Sequence, residues 1–204
     1  MDLLSTEFGG PLIVVVAGLT TFIAAYASAL LAARAGVLLD RPNDRSSHKQ
    51  VTPRSGGIAI FAAWAAGMAI VAALSRDPET LQMTVKLVLI AGFVLFLGLV
   101  DDVFAPTPLV KFAGQVAAAA LFIAAFGALE TAPLPFVGDV ALGPYAAPVT
   151  IFWIVGFMNA FNFMDGVNGI AAACGAFVLA GLAVASAYAG SSYWAVAALL
   201  CATA

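Results

Sequence analysis

Apolar runs of about the length needed to cross a bilayer recur along this chain, and they constrain its fold more than any other feature. A helix rises about 1.5 Å per residue, so a hydrocarbon core of about 30 Å takes about 20 apolar residues. Residues 11–33, 58–74, 83–100, 112–129, 149–163 and 170–189 read as membrane helices. With 63% hydrophobic and 9% charged residues and a mean hydropathy of +1.06, the chain has too few polar residues to cover a globule in water. The first run is no cleaved signal: it is long, lacks a basic leader and is followed by further spans. Tyr193 to Ala204 is apolar but only twelve residues long, about 18 Å as helix, and reads as the start of a seventh span in a chain that is a carboxyl-terminal truncation. The expected fold is an all-α polytopic membrane bundle, one integral membrane domain over 1–204. It has six full transmembrane helices, the start of a seventh, and one short external β-hairpin around Gly138 and Asp139, where Pro residues limit strand length.

Polar chemistry is concentrated in segment 40–57, DRPNDRSSHKQVTPRSGG. Arg34, Arg41, Arg45, Lys49 and Arg54, five of the eight cations, and the single histidine, His48, fall in or beside it. If this loop is cytoplasmic, six of the eight cations lie inside, Arg76 and Lys86 being the exceptions, in accord with the positive-inside rule. The loops at 101–111 and 162–169 then share its face. A topogenic loop needs only Lys and Arg, whereas this one also holds His48, Thr52, Pro53 and the Gly56–Gly57 pair. Arg and Lys suit phosphate oxygens, and paired glycines allow close backbone approach.

Asp101 and Asp102 end the third apolar run. Adjacent carboxylates near lipid need a cation, a shared proton or water. Two readings are open: a solvated helix end, or hard oxygen ligands for Mg2+ on a diphosphate. In NAFNFMDGVNG, Asn159, Asn162 and Asp165 are spaced by three and share roughly one helix face, followed by Gly166, Asn168 and Gly169. The Asn residues alone could serve as interhelical glue; an Asp and two glycines beside them argue for a ligand-facing cluster. Cys174 and Cys201 lie within apolar runs and read as packing residues. Three polar constellations on one membrane face imply a phosphate-rich substrate met from the cytoplasm.

These motifs resemble the polyprenyl-phosphate N-acetylhexosamine-1-phosphate transferases, the family that includes phospho-N-acetylmuramoyl-pentapeptide transferase. Segment 40–57 looks like the family's first cytoplasmic loop, GLVDD its Asp-Asp motif, and NAFNFMDGVNG its Asn-x-x-Asn-x-x-Asp-Gly motif. The resemblance implies transfer of a sugar 1-phosphate from a UDP-sugar donor to polyprenyl (undecaprenyl) phosphate, with release of UMP and a need for Mg2+. It places the protein in the bacterial inner membrane with its active face cytoplasmic. It implies catalytic and metal-holding roles for Asp101, Asp102 and Asp165, with Asp101 as base. Asn162, Asp165 and Asn168 would line the nucleotide side, and His48, Lys49, Thr52, Arg54, Gly56 and Gly57 would hold the donor. Family members often form homodimers; no nucleic-acid partner is expected.

The chain departs from the peptidoglycan branch, which carries Thr-Pro-Thr-Met-Gly-Gly and Asp-Gly-x-Asp-Gly. Here Arg54 and Ser55 follow Pro53, and Asn168 stands for the second Asp, as in the branch that starts O-antigen, enterobacterial-common-antigen-like or teichoic-acid glycans. The family's further catalytic Asp and histidine motif would lie beyond Ala204, so the chain is expected to be inactive alone. CDP-alcohol phosphatidyltransferases would need an Ala-Arg pair and two more Asp residues after Asp165–Gly166, which are missing. Aromatic-acceptor prenyltransferases would need a second Asp-rich motif. A transporter fragment would place its polar groups at mid-bilayer rather than at helix ends.

Overall fold

The computed structural model of this chain describes residues 18, 19, 21–23, 26, 27, 30, 34, 39, 40, 52, 53, 56–164 and 170–203. Its helices are α1 (Gly56–Ser75), α2 (Pro78–Phe104), α3 (Pro108–Phe126), α4 (Ala146–Met164), α5 (Ile170–Tyr188) and α6 (Ser192–Thr203). Two antiparallel strand pairs accompany them, β1 (Leu39–Asp40) with β2 (Thr52–Pro53), and β3 (Thr131–Leu134) with β4 (Gly138–Ala141). A 3-10 turn, Gly143–Tyr145, leads into α4.

Among the described residues four helices, not the expected six, are long and apolar enough to cross a membrane: Gly57–Ser75, Pro78–Phe104, Pro108–Phe126 and Gly143–Phe163. The first expected span lies largely outside the described residues, although its described positions are helical. The described parts of α5 and α6 add shorter apolar stretches, Ala173–Tyr188 and Tyr193–Ala202. The outward faces of the long helices carry large apolar side chains, with Leu89 68% and Phe152 76% exposed. Surfaces of that kind require lipid rather than water.

The chain divides into two compact units, Met1–Val88 with Asp165–Ala204, and Leu89–Met164. In the first, α6 packs on α5 and α1, burying Met68, Val71, Ala72, Val196 and Leu200. Gly67 permits the close approach: a Cβ there would run into Thr21 Oγ1 and sit 3.3 Å from Leu200 Cδ1. Trp64 Nε1 donates to the Ala197 carbonyl at 3.2 Å, so the buried indole is satisfied. Tyr193 Oη approaches Thr84 Oγ1 at 3.4 Å. The β1–β2 pairing, Leu39 opposite Pro53 and Asp40 opposite Thr52, closes the ends of the basic loop and was not foreseen from sequence.

In the second unit α3 starts at Pro108, where a missing N–H costs nothing, and ends before Gly127 at φ 91. The expected boundaries, 112–129, shift toward the amino terminus for that reason. The β3–β4 hairpin stands where expected, with Ala132, Leu134, Gly138 and Val140 on one face and Thr131, Pro133, Asp139 and Ala141 on the other. Thr150 Oγ1 accepts from the Leu129 N–H at 2.8 Å and donates to the Ala146 carbonyl at 2.7 Å, tying α4 to the end of α3.

Candidate functional site

The Asp-Asp motif occupies the last turn of α2, followed by a tight reversal. Ala105 takes a left-handed conformation (φ 42), and its N–H caps the Asp101 carbonyl at 3.1 Å. Pro106 and the extended Thr107 lead to Pro108, and the N–H groups of Val110 and Lys111 bond the Thr107 carbonyl. This short connection returns the chain so that Lys111, in the first turns of α3, forms an ion pair with Asp101. Asp101 Oδ1 is shielded from solvent, and its charge is met by the Lys111 ammonium rather than by a well-directed hydrogen bond. The side chains are still 33% and 39% exposed, so the pair lies at an accessible rim. Asp102 beside it is exposed.

The arrangement runs against helix electrostatics: a carboxylate sits at the negative end of α2 and an ammonium at the positive end of α3. Their pairing offsets two unfavourable placements. Adjacent carboxylates with one shielded oxygen suit Mg2+, which takes one or two protein carboxylates and leaves its other positions to water and phosphate. Among the described residues no group of three or more His, Cys, Asp or Glu forms a fuller cage.

On α4, Asn159 and Asn162 have different roles. Asn159 is half-buried; its Nδ2 donates to Gln115 Oε1 and to the Val155 carbonyl, both at 2.8 Å, while Gln115 Nε2 reaches its Oδ1 at 3.5 Å. Of the expected ligand-facing cluster, Asn159 thus has both amide protons engaged, one by α3 and one within α4. Asn162, one turn on, is exposed. Asp165, Gly166, Asn168 and Gly169 lie outside the described residues, as do His48, Lys49 and Arg54. Thr52 is placed in β2 opposite Asp40, and Gly56 and Gly57 open α1.

Lys111 and Gln115 were not singled out as site residues from sequence. The available signal was their i, i+4 spacing in α3, whose other side chains are all uncharged and, apart from these two, apolar.

The model of a family described as glycosyl transferase family 4 matches residues 83–204, which include the Asp-Asp and Asn-x-x-Asn-x-x-Asp-Gly segments. The chain is 32% identical over 147 residues to a Bacillus subtilis protein named "Probable undecaprenyl-phosphate N-acetylglucosaminyl 1-phosphate transferase", covering 72% of this chain and 40% of that one. It is 32% identical over 168 residues to a decaprenyl-phosphate N-acetylglucosaminephosphotransferase of Mycolicibacterium smegmatis, covering 78% and 41%. Against an undecaprenyl-phosphate alpha-N-acetylglucosaminyl 1-phosphate transferase of Escherichia coli the identity is 30% over 136 residues, covering 65% and 35%. The matched segments thus span about two fifths of the length of these curated relatives.

Proposed function

Because the chain belongs to glycosyl transferase family 4, we propose that it transfers an N-acetylhexosamine 1-phosphate, N-acetylglucosamine 1-phosphate first among them, from a UDP-sugar to a polyprenyl phosphate. The observation that carries this is the Asp101–Asp102 pair at the end of α2, with Asp101 held by Lys111. The names of the relatives support the sugar and the lipid class.

In this reaction an oxygen of the lipid phosphate forms a bond to the sugar-bearing phosphorus, and the bond from that phosphorus to the bridging oxygen breaks, so UMP leaves with its electron pair. A lipid phosphate is already an anionic nucleophile. In-line placement and charge neutralisation therefore matter more than proton removal, and Asp101 takes any proton the acceptor still holds. Asp101, Asp102 and Asp165 would hold Mg2+, which would supply charge neutralisation for the diphosphate and its leaving group. Asn162 and Asn168 bind the nucleotide side. His48, Lys49, Thr52 and Arg54 bind the donor's anionic portion, and Gly56 and Gly57 leave room for its approach. The chain then works at the cytoplasmic face of a bacterial inner membrane, in the first membrane step of envelope glycan synthesis. Asn168 and the Arg54–Ser55 sequence favour a branch other than the peptidoglycan one.

The test is Mg2+-dependent UMP release from UDP-N-acetylglucosamine with undecaprenyl phosphate, using the full-length protein. Asp101→Asn should lower turnover by about a hundredfold or more. A folded protein that leaves every UDP-sugar untouched overturns the reading, and an Asp101→Asn variant with undiminished turnover overturns the role given to Asp101.

A further inference from the structure

We propose that Gln115 is a positioning residue for the transfer site, setting the placement of the Asn162 end of α4 relative to Asp101 through Asn159. The proposal rests on the transferase reading above and extends it to a side chain that touches no substrate.

The hydrogen-bond accounts of the two amides support it. Both protons of Asn159 Nδ2 are engaged at 2.8 Å, one by Gln115 Oε1 and one by the Val155 carbonyl. The Asn159 Oδ1 faces Gln115 Nε2 at 3.5 Å. With both donors used and the acceptor facing the partner amide, this carboxamide is fixed in orientation and has no proton left to offer a ligand. Reversing either amide would set donor against donor, so the pair has one favourable arrangement and fixes α4 in rotation as well as distance.

Gln115 lies four residues beyond Lys111, hence on the same face of α3 and about 6 Å further along its axis. That face is held at Lys111 by Asp101 and at Gln115 by Asn159. Asn162 follows Asn159 by less than one turn of α4, and its side chain is exposed. A contact path thus runs from Asp101 to Lys111, along α3 to Gln115, across to Asn159 and on to Asn162. In-line transfer is sensitive to misplacements of about 1 Å. A pair holding two helices in one register therefore acts on the rate of the chemical step more than on the capture of substrate.

The experiment compares kcat, the donor KM and the melting temperature of the full-length wild type with those of four variants: Gln115→Leu, Gln115→Leu with Asn159→Leu, the exchange Gln115→Asn with Asn159→Gln, and Asp101→Asn. Gln115→Leu should lower kcat by about tenfold to a hundredfold with the donor KM within about twofold. The exchange should recover most of that loss. The double Leu variant, which leaves no unpaired amide, should melt near wild type yet keep the low kcat. If Gln115→Leu does not fold, the exchange and the double Leu variant decide alone. A double Leu variant with wild-type kcat, or a Gln115→Leu variant whose only defect is its melting temperature, overturns the positioning role while wild-type turnover still reports a working transferase. Folded wild type that turns over no UDP-sugar overturns the transferase reading itself, whereas undiminished turnover in Asp101→Asn removes Asp101 from the site and overturns a positioning role exerted relative to it.

Discussion

Asp101 and Lys111 each occupy the helix end that disfavours their charge, a cost of about 0.3–1 kcal/mol apiece at a surface. A partly exposed ion pair returns about as much, so the arrangement gains little stability, and its value lies in holding a carboxylate in place beside Asp102. Packing glycines show the opposite logic, where a single atom decides stability. A Cβ at Gly67 would press on Thr21 Oγ1 and lie 3.3 Å from Leu200 Cδ1, whereas one at Gly98 would meet nothing within 4 Å. Gly67→Ala should therefore destabilise by about 1–3 kcal/mol through overpacking. Gly98→Ala should be neutral, or stabilising by about 0.5–1 kcal/mol through lost chain entropy. Thermal unfolding in detergent measures both. Equal melting temperatures for the two variants would mean that α1 does not approach the Thr21 and Leu200 side chains this closely.

Helix α2 is defined at its start by Asp77, whose Oδ2 accepts from the Thr80 N–H at 2.9 Å and from the Thr80 hydroxyl at 2.8 Å, with Pro78 at the first helical position. The Thr80 hydroxyl first, and then its N–H, hold the Asp77 carboxyl below the usual carboxylate range. A folded value below the unfolded one means that the cap's contribution is present above the unfolded pKa. It is lost as pH falls through the folded value. The stability advantage of wild type over Asp77→Ala should accordingly hold at neutral pH and shrink in acid; an advantage independent of pH would show that the carboxylate charge is not what caps α2. At this scale the sequence was informative wherever hydropathy or a turn residue marks an element. The runs behind α1 to α4, the Gly138–Asp139 hairpin and the Asp101–Asp102 helix end could all be read there. What escaped depends on contacts between distant residues. The two-residue β1–β2 ladder pairs Asp40 with Thr52 across a loop that no short-range pattern identifies. The Lys111–Asp101 pair depends on a left-handed Ala105, which favours no obvious sequence signal. Asn159 shared a helix face with Asn162 but found its partner on α3, because a carboxamide in an apolar layer takes the nearest amide available.

For the whole molecule, charge assigns a direction that the packing of helices alone does not. The cation-rich loop 34–54 and Lys111 lie on the cytoplasmic side if the positive-inside rule governs insertion. The path of the chain then fixes the rest: α2 ends inside at Asp101, α3 returns outward, and the β3–β4 hairpin with exposed Asp139 stands outside before α4 carries Asn162 back. On the proposed reading this direction matters, because a nucleotide-activated donor is cytoplasmic and the Asp101 rim would be useful only on that side. Replacing every native cysteine of the full-length protein, Cys174 and Cys201 among them, by Ala and introducing a cysteine at Thr107, in the α2–α3 reversal, or at Asp139, at the hairpin, allows each side to be labelled alone with a membrane-impermeant maleimide. Asp139→Cys should label in intact cells, and Thr107→Cys only after the membrane is opened. The reverse pattern would place the Asp-Asp motif outside, away from any cytoplasmic donor. The transferase reading would then fail on topology, whatever the identity to known transferases.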